Sequence, residues 1–449
     1  MTPSLILINP WIYDFAAYDL WSKPLGLLYL AAYLGRCGYK IHLIDCLDVH
    51  HPGMEVAPPM KKPRRRAYGT GKYWRQNISS PSPLKAIQRH YSRYGLSLKV
   101  FEKELKKVQT PSAILVTSLM TYWYPGVREA IRLSRSVHPG TPVILGGIYA
   151  NLCHDHATRK MDADHVLTGS DPAALLQILI DRDITPPTFP PDPGPRPYPA
   201  FDLLTRIDYV CIMTSTGCPY RCGYCASHFL NPDLVQRDPL EVLEEILFWH
   251  RDFGIRDFAF YDDALLLESD THVVELLEHI LSLELDIRFH TPNALHVKNI
   301  TPDIARLMYD TGFRTVRLGL ETSDFSLHHD LDNKVAEGDF ERAVRNLLGA
   351  GFAGHDIGAY VLMGLPGQSV NSVIDTIDFV ARTGAGPYLS EYSPIPHTPL
   401  WKKAMDHSEY DLASEPLYHN NTLLPCWNNS QKREMHRMKK KALEARHKR

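Results

Sequence analysis

In the first 180 residues, short runs of apolar and β-branched residues alternate with longer stretches in which apolar residues recur every three or four positions. The short runs predict strands at 4–9, 40–45, 113–118, 142–147 and 165–169. The longer stretches predict helices at 24–37, 126–137 and 172–180. Strands that alternate with helices are joined by right-handed crossovers into a parallel sheet, so we predict a doubly wound α/β domain over 1–183.

The connection at 46–111, between the second and third predicted strands, is much longer than an ordinary loop. It contains the basic run KKPRRR at 61–66 and a helical pattern at 97–108. We expect this insertion to form a lid or a small subdomain. Its basic run could contact phosphate groups, although most such runs are simply solvated.

A proline-rich segment at 184–200 follows and is predicted to be an extended linker, because proline cannot donate a backbone hydrogen bond. Beyond it, further strands are predicted at 208–214, 256–261, 286–291, 315–320, 356–362 and 388–393. Helices are predicted between and after these strands at 238–252, 270–283, 301–311, 339–350 and 369–383. Successive βα units predict a partial (βα)6 barrel over 201–405, with its chemistry on the loops that follow the strands.

Composition limits the classes of protein that need consideration. The 449 residues include 49 Lys and Arg, 51 Asp and Glu and 44% hydrophobic residues, enough for two or three domains with full cores. The basic helical tail at 406–449 could contact nucleic acid, but most such tails are solvated faces, and we expect no nucleic-acid partner.

The compartment is predicted from the amino terminus and the cysteines. The longest early apolar run, 25–34, is too short to span a bilayer, and no signal-sequence pattern precedes it. Eight cysteines are too few for a disulfide scaffold of this length. We therefore expect a cytoplasmic protein without a membrane span.

Three of the cysteines lie close together directly after the first predicted barrel strand. Cys218, Cys222 and Cys225 have the spacing C-x-x-x-C-x-x-C in TGCPYRCGYCAS. Three such thiolates can ligate three irons of a [4Fe–4S] cluster and leave the fourth iron open for chemistry. A structural zinc site usually takes four ligands from paired motifs, and no second C-x-x-C occurs. A non-catalytic zinc-binding protein remains an alternative.

This spacing, with Tyr224 just before the last cysteine, resembles the radical S-adenosylmethionine superfamily. The resemblance implies that S-adenosylmethionine chelates the open iron through its amino and carboxylate groups. It also implies that one electron, from an external one-electron reductant, cleaves the S–C5′ bond and yields a 5′-deoxyadenosyl radical that abstracts hydrogen.

The resemblance extends along the later strands and implies further contacts with S-adenosylmethionine. Asp262 and Asp263 would face the amino group of the ligand, although adjacent acids also cap turns. Glu321 ends the fourth strand, where the family often places Glu or Gln against this ligand. After the fifth strand, Gly364 and Pro366 would allow close approach to the adenine.

Three other positions leave alternatives open. Asn293 either donates a hydrogen bond to substrate or closes a turn. Gln368 stands where the family often has Glu. His397 replaces a common Gly, and could act as an acid or base or could be a surface or packed histidine.

The first domain resembles the cobalamin-binding, Rossmann-like domains that often precede such barrels. Small and apolar residues at predicted strand ends would hold the corrin: Thr117, Ser118, Gly146, Gly147 and Ile148, with Tyr122 and Trp123 as walls. The alternative is a Rossmann-like domain retained for packing or for substrate binding.

A D-x-H-x-x-G pattern at Asp48, His50 and Gly53 matches the motif of proteins that place His beneath cobalt. It follows the second predicted strand rather than the first and does not lead into a predicted helix. We therefore expect any cobalamin to bind without a protein imidazole beneath it.

The resulting prediction is a radical S-adenosylmethionine enzyme with a [4Fe–4S] cluster. We expect it to depend on cobalamin and to transfer methyl groups to carbon in a small molecule or peptide. The alternatives are a cobalamin-independent radical enzyme, catalysing rearrangement, cyclisation or methylthiolation, and the non-catalytic protein named above.

Overall fold

The computed structural model describes residues 2–55, 60–189 and 196–447. The chain divides into two compact units, the first formed by Met1–Ile207 with Ser414–Leu417 and the second by Asp208–Ala413 with Tyr418–Arg449. Of the predicted linker, 190–195 lies outside the described residues. The division between the units falls a few residues after the predicted linker, and the predicted tail contributes to both units.

The first unit contains a parallel sheet with helices between its strands. Its strands are β1 Ser4–Asn9, β2 Ile12–Asp14, β3 Lys40–Asp45, β4 Arg75–Ile78, β5 Tyr91–Tyr94, β6 Ala113–Val116, β7 Val143–Leu145 and β8 His165–Val166. Its helices are α1 Leu25–Arg36, α2 Leu98–Lys106, α3 Tyr124–Val137, α4 Ile148–Leu152, α5 His154–Lys160 and α6 Pro172–Ile180.

The main sheet of this unit has the strand order β3-β1-β6-β7-β8. Every neighbouring pair is parallel, as predicted from the alternating pattern. The order corresponds to 2-1-3-4-5, the doubly wound order in which ligands bind at the carboxyl ends of the strands, where the strand order reverses. In this sheet that position lies between β1 and β6.

The insertion at 46–111 forms more than a covering loop. Its strands β4 and β5 pair antiparallel, and β5 also pairs with β2, which directly follows β1. The indole of Trp11 donates a 2.7 Å hydrogen bond to the carbonyl of Leu96. The insertion therefore fixes the chain at the carboxyl end of β1, on the edge where a ligand is expected.

The second unit begins with β9, the first strand of its own parallel sheet. Its strands are β9 Val210–Ile212, β10 Ser215–Thr216, β11 Val235–Gln236, β12 Asp257–Phe260, β13 Arg288–His290, β14 Leu295–His296, β15 Phe313–Glu321, β16 Ile357–Met363 and β17 Gly386–Glu391. Its helices are α7 Ser227–Leu230, α8 Pro239–Phe253, α9 Val273–Ser282, α10 Pro302–Asp310, α11 His328–Leu331, α12 Asp339–Ala350, α13 Val370–Thr383, α14 Trp401–His407, α15 Asn429–Arg433 and α16 Met435–His447.

The second sheet has the order β17-β16-β15-β13-β12-β9, and β14 also pairs with β15. All of these pairs are parallel. Among the described residues β9 does not pair with β17, so the sheet is an open, partial barrel, as predicted. The carboxyl ends of successive strands meet at one edge, which brings residues distant in sequence together.

Local signals explain the helix boundaries of this unit, as α8 illustrates. The side chain of Asp238 accepts a 2.8 Å hydrogen bond from the backbone N–H of Leu240, and Pro239 occupies the first helical position. The helix ends at Phe253 and is followed by Gly254, which adopts a left-handed conformation with φ of 69°.

The basic carboxyl-terminal residues are largely engaged with the second unit. On α16, Lys439 pairs with Glu391 at 2.6 Å and Lys441 with Asp378 at 2.7 Å. The Arg446 guanidinium lies 4.4 Å above the ring of Tyr388. The helix therefore packs on the edge strand β17 and on α13 instead of forming a separate solvated arm.

In the described part of the chain, every helix is too short or too polar to span a membrane.

Candidate active site

The three clustered cysteines lie on the loop between β10 and α7. Cys218 and Cys222 are 8% and 4% exposed, whereas Cys225 is half-buried. The backbone N–H of Ser227 donates to the Cys225 sulfur at 3.4 Å. The loop thus places three thiols within eight residues, directly after β10, which pairs antiparallel with β11.

Backbone hydrogen bonds anchor this loop from two directions. The N–H of Gly223 donates to the carbonyl of Leu331 at 2.6 Å, and its carbonyl accepts from the N–H of Leu400 at 2.9 Å. A Cβ at position 223 would lie 3.0 Å from the Leu400 side chain, so glycine permits this close approach. The loop is therefore held in place by residues more than 100 positions away.

The start of the loop is fixed by Asp262, at the carboxyl end of β12. Its carboxylate accepts hydrogen bonds from the backbone N–H and hydroxyl groups of Thr214 and Ser215, at 2.6 to 3.2 Å. Burial raises the pKa of Asp262 despite these donors. These contacts favour a supporting role for Asp262 over the predicted contact with S-adenosylmethionine.

The adjacent acid, Asp263, has different surroundings. It hydrogen-bonds the side chain of Ser227, which follows Cys225 closely, and burial raises the pKa of its carboxyl group. Because Asp263 hydrogen-bonds Ser227 next to the cysteine loop, it is the better candidate of the two acids for a ligand amino group.

Lys334 brings positive charge to the cysteine loop. It hydrogen-bonds Cys222, and its ammonium lies 5.8 Å from the centre of the Tyr224 ring. Burial opposes the charge on Lys334, but the nearby Cys222, Glu321 and Asp332 outweigh it and raise the pKa to about 12. Lys334 could not be predicted from the sequence, because a single lysine after α11 belongs to no spacing pattern.

Glu321 and Tyr224 meet beside this ammonium. The Tyr224 hydroxyl donates a 3.0 Å hydrogen bond to Glu321 Oε1. Glu321 is 6% exposed, and burial raises its pKa. It also has a φ of 65°, a left-handed conformation that is costly for a non-glycine residue and is concentrated at functional sites. The two predicted residues are therefore brought together.

The loop after β16 contains a turn braced by Gln368. Its Oε1 accepts from the N–H of Gly364 at 2.9 Å and of Leu365 at 3.2 Å, and its Nε2 donates to the Leu362 carbonyl at 2.9 Å. Gly364 has a φ of 100°, which requires glycine, and Pro366 follows within the same turn. Three hydrogen bonds from Gln368 therefore fix the shape of the turn, which close approach to a planar ligand would require.

Two of the open positions have mainly structural contacts. Asn293 Nδ2 donates to the carbonyls of Tyr261 at 2.8 Å and Asp262 at 3.3 Å, so this amide links strand ends. His397 is exposed and stacks on Phe229 with ring centroids 4.1 Å apart. Its φ of 67° explains why glycine would suit the position.

In the first unit, the predicted cobalamin residues follow β6 and β7. The Ser118 hydroxyl donates to the Gly146 carbonyl at 2.6 Å. Gly147 has a φ of 93°, and a Cβ there would lie 2.3 Å from the Ser118 carbonyl oxygen. Ser118, Gly146 and Gly147 therefore shape the sheet edge through close backbone packing.

Apolar side chains are exposed on the same loops. Ile148 is 38% and Met120 47% exposed, while Thr117 is half-buried. Two aromatic residues were predicted to flank the corrin. Of these, Tyr122 is buried, and the Trp123 indole N–H donates a 2.8 Å hydrogen bond to Asp14 Oδ2. These loops therefore expose apolar side chains at this edge, which suits a flat, largely apolar ligand.

The D-x-H-x-x-G pattern has local contacts. Asp48 Oδ1 accepts from the His50 N–H at 2.8 Å, and Gly53 lies in the short 3-10 turn Pro52–Met54 instead of leading into an α-helix. These contacts give no support to His50 as a cobalt ligand.

Among the described residues, no three His, Cys, Asp or Glu side chains already stand in a metal-binding arrangement. Assignment of a cluster to Cys218, Cys222 and Cys225 therefore depends on the chemistry of the three thiols and on the anchored loop that carries them, and it stays a prediction.

The cysteine loop lies within a part of the chain that matches a known family. Residues 212–380 match the model of the Radical SAM superfamily. This range begins at the end of β9, includes the cysteine loop, Glu321, Lys334 and the Gly364 turn, and ends within α13.

Two curated relatives are methyltransferases by name. An uncharacterized methyltransferase of Pyrococcus horikoshii is 22% identical over 387 residues, which cover 78% of this chain and 82% of the relative. Cytidylyl-2-hydroxyethylphosphonate methyltransferase of Streptomyces wedmorensis is 21% identical, covering 92% of this chain and 84% of the relative.

The fold is similar to that of the radical S-adenosylmethionine methyltransferase TsrM of Kitasatospora setae. Its structure with tryptophan substrate and a S-adenosylmethionine analogue has a TM-score of 0.64 at 17% identity, covering 90% of this chain and 76% of that one. Its structure with cobalamin and a [4Fe–4S] cluster has a TM-score of 0.62 at 17% identity, covering 92% and 76%. This similarity concerns the fold.

Proposed function

We propose that this chain, which belongs to the radical S-adenosylmethionine superfamily, is a cobalamin-dependent enzyme that transfers a methyl group to carbon in a small molecule. One observation carries the proposal: the anchored loop that holds Cys218, Cys222 and Cys225 at the carboxyl edge of a parallel sheet, beside Lys334 and Glu321. The names of the relatives agree with methyl transfer.

In this proposal the three cysteines ligate a [4Fe–4S] cluster. When bound, the cluster supplies the electron that cleaves S-adenosylmethionine into methionine and a 5′-deoxyadenosyl radical. The Lys334 ammonium offsets the negative charge of the Cys222 thiolate. The backbone bonds of Gly223 keep the loop at one position on the sheet edge.

S-adenosylmethionine would lie between the loops that follow β12, β15 and β16. Asp263 would accept hydrogen bonds from its amino group, and the Lys334 ammonium is suited to its carboxylate. Glu321, held by the Tyr224 hydroxyl, presents an oriented carboxyl group. The Gly364 and Pro366 turn, braced by Gln368, would pack against the adenine.

Cobalamin would bind at the carboxyl edge of the first sheet and, when bound, supplies the methyl group. Three features support this: the 2-1-3-4-5 strand order, the glycines after β7, and the exposed apolar Met120 and Ile148. Thr117 and the Ser118 backbone would line the same edge. The segment that follows β1, residues 10–23, contains no His, so in this proposal cobalamin binds without a protein imidazole on the cobalt.

The reaction also needs partners outside the chain. An external one-electron reductant must reduce the cluster, and the substrate is a small molecule or peptide. Eight cysteines in 449 residues are too few for a disulfide scaffold, which agrees with a reducing compartment, and we propose a cytoplasmic location.

The experiment that tests this function is anaerobic reconstitution with iron, sulfide and cobalamin, followed by metal analysis and an assay for 5′-deoxyadenosine. We expect about four irons per chain and stoichiometric cobalt. Cys222→Ala should lose the cluster and the 5′-deoxyadenosine, whereas Cys37→Ala, which removes a buried thiol from the core of the first unit, should keep both.

Iron without cobalt would refute the dependence on cobalamin and leave a cobalamin-independent radical enzyme. Zinc in place of iron and sulfide, or 5′-deoxyadenosine formation by Cys222→Ala, would refute the assignment of the cluster.

A further inference from the structure

A buried histidine beside the cysteine loop has a ring nitrogen without a hydrogen-bond partner. His296 is the last residue of β14 and is 8% exposed. No described residue gives its Nδ1 atom a hydrogen-bond partner. Buried polar atoms in native proteins are nearly always paired, and an unpaired one is often explained by a functional role.

The position of His296 connects it with the proposed active site. Its ring packs edge-on against Tyr220, with centroids 4.7 Å apart and planes at 82°. Tyr220 lies midway between Cys218 and Cys222 on the loop. In the sheet His296 is opposite Gly319, and Glu321 Oε1 lies 3.4 Å from the position a Cβ on Gly319 would take.

The charge state of His296 limits what it can do. Burial, together with the Lys334 ammonium, lowers its pKa to about 3, although Asp332 acts in the opposite direction. The ring is therefore neutral near pH 7, with one nitrogen that donates and one that accepts a hydrogen bond. A neutral imidazole with so low a pKa is suited to hydrogen bonding and unsuited to proton transfer.

We propose that His296 is a further binding residue for S-adenosylmethionine, whose amino or ribose hydroxyl group donates a hydrogen bond to Nδ1. This inference rests on the proposed function, because S-adenosylmethionine must lie beside the open iron of the cluster. His296 packs on the residue between two of the three cluster ligands, and it shares this environment with Glu321 and Lys334.

The test compares His296→Phe, which keeps an aromatic ring against Tyr220 but removes Nδ1, with His296→Asn, which keeps a polar atom close to that position. Binding of S-adenosylmethionine to the cluster-loaded protein is measured by equilibrium dialysis. We expect the dissociation constant to rise about tenfold in His296→Phe and by a smaller factor in His296→Asn. Iron content should stay at the wild-type value in both variants.

A second measurement, on the protein without cluster or ligand, separates binding from folding. If His296 is a binding residue, the thermal midpoint of His296→Phe should equal or exceed the wild-type midpoint, because the variant removes an unpaired buried atom. A lower midpoint in both variants with unchanged affinity for S-adenosylmethionine would show a structural residue and overturn the inference.

Failure of the inference and failure of the proposed function are distinguishable. Equal affinities in wild type and His296→Phe overturn the role of His296 while the wild-type enzyme still forms 5′-deoxyadenosine. A wild-type protein that takes up no cluster, or binds no S-adenosylmethionine when loaded, overturns both. If His296→Phe fails to load the cluster, His296→Asn and His296→Gln decide the outcome by their affinities.

Discussion

Two adjacent acids, Asp262 and Asp263, should respond differently to the same substitution. Asp262 accepts two backbone N–H groups and two hydroxyls from Thr214 and Ser215, which are 0% and 2% exposed. In Asp262→Ala, both hydroxyls can rotate toward other acceptors, but both N–H groups lose their partner. At about 1–3 kcal/mol for each orphaned donor, the free energy of unfolding should fall by roughly 2–6 kcal/mol.

Asp262→Asn should be far milder, because the amide oxygen can still accept from these donors. Burial raises the pKa of Asp262, so the fold disfavours the charged form of this group, and removing the charge costs little. We expect a loss of about 1 kcal/mol or less. The acceptor atom therefore matters here more than the charge.

The sign of the pH dependence follows from the same shift. A carboxyl group whose folded pKa is raised contributes stability that is fully present below its unfolded pKa and is lost as pH rises through the folded pKa. The stability of the wild type relative to Asp262→Asn should therefore decline as pH rises above about 4.

Urea unfolding of the cluster-free protein, followed by tryptophan fluorescence, measures these differences. Asp263→Asn is the matched control: it should change stability by less than about 1 kcal/mol but weaken S-adenosylmethionine binding in the loaded protein. If Asp262→Ala proves as stable as Asp262→Asn, or if Asp263→Asn leaves ligand affinity unchanged, the division of roles between the two acids is wrong.

Three further predictions concern other parts of the two units. Lys334→Met should raise the dissociation constant of S-adenosylmethionine at least about tenfold, whereas the same change at an exposed lysine of α14 should not; equal effects would contradict the role of this ammonium. His328, whose imidazole lies 2.9 Å from Asp332 Oδ1, is buried, but that carboxylate outweighs burial and raises its pKa. The stabilising contribution of His328 is fully present below its unfolded pKa, about 6.5, and is lost as pH rises through its folded pKa. The free energy of unfolding of the wild type minus that of His328→Gln should therefore decrease above neutral pH. A difference that does not change with pH would refute this. Gly147→Ala should lower the free energy of unfolding by more than about 3 kcal/mol, because φ is positive and the new Cβ would meet backbone atoms. Gly140→Ala, with a φ of 85° and open space around the new Cβ, should lower it by only about 1 kcal/mol. Similar thermal midpoints for the two variants would contradict the packing argument.

The strands and helices of both sheets could be predicted because their pattern is local. Helix α6, for example, has the predicted bounds Pro172–Ile180, with Asp171 as its amino-terminal cap. The pairing of β2 with β5 could not be predicted, because these short strands are 77 residues apart and carry no periodic signal. The sequence therefore predicts only a lid or a small subdomain, whereas in the structure β5 of the insertion pairs with β2, directly after β1.

The candidate site shows the same contrast. The cysteines could be found because three identical residues at fixed spacing form a sequence pattern. Lys334 and His296 could not be found in this way, because each is a single residue outside any sequence pattern. Their partners come near only through the parallel pairing of β14 with β15 and through the chain that follows these strands. Asp262 was placed at the correct strand end, but whether its oxygens face ligand or backbone depends on contacts 47 and 48 residues away.

The cysteine loop is anchored by groups that do not depend on a metal. Asp262 fixes its start, and the carbonyl of Leu331 and the N–H of Leu400 hold Gly223 in its middle. Small zinc-binding domains fold only when their metal binds, because the ligands are their main long-range contacts. Here these contacts hold the loop against a sheet that has its own apolar core. The cluster would therefore bind to a loop whose backbone is already folded. The backbone of the loop is then ordered during folding of the sheet, and binding of a cluster would reorient the three thiol side chains. Lys334, beside Cys222, would balance the negative charge that arises when the thiols lose their protons.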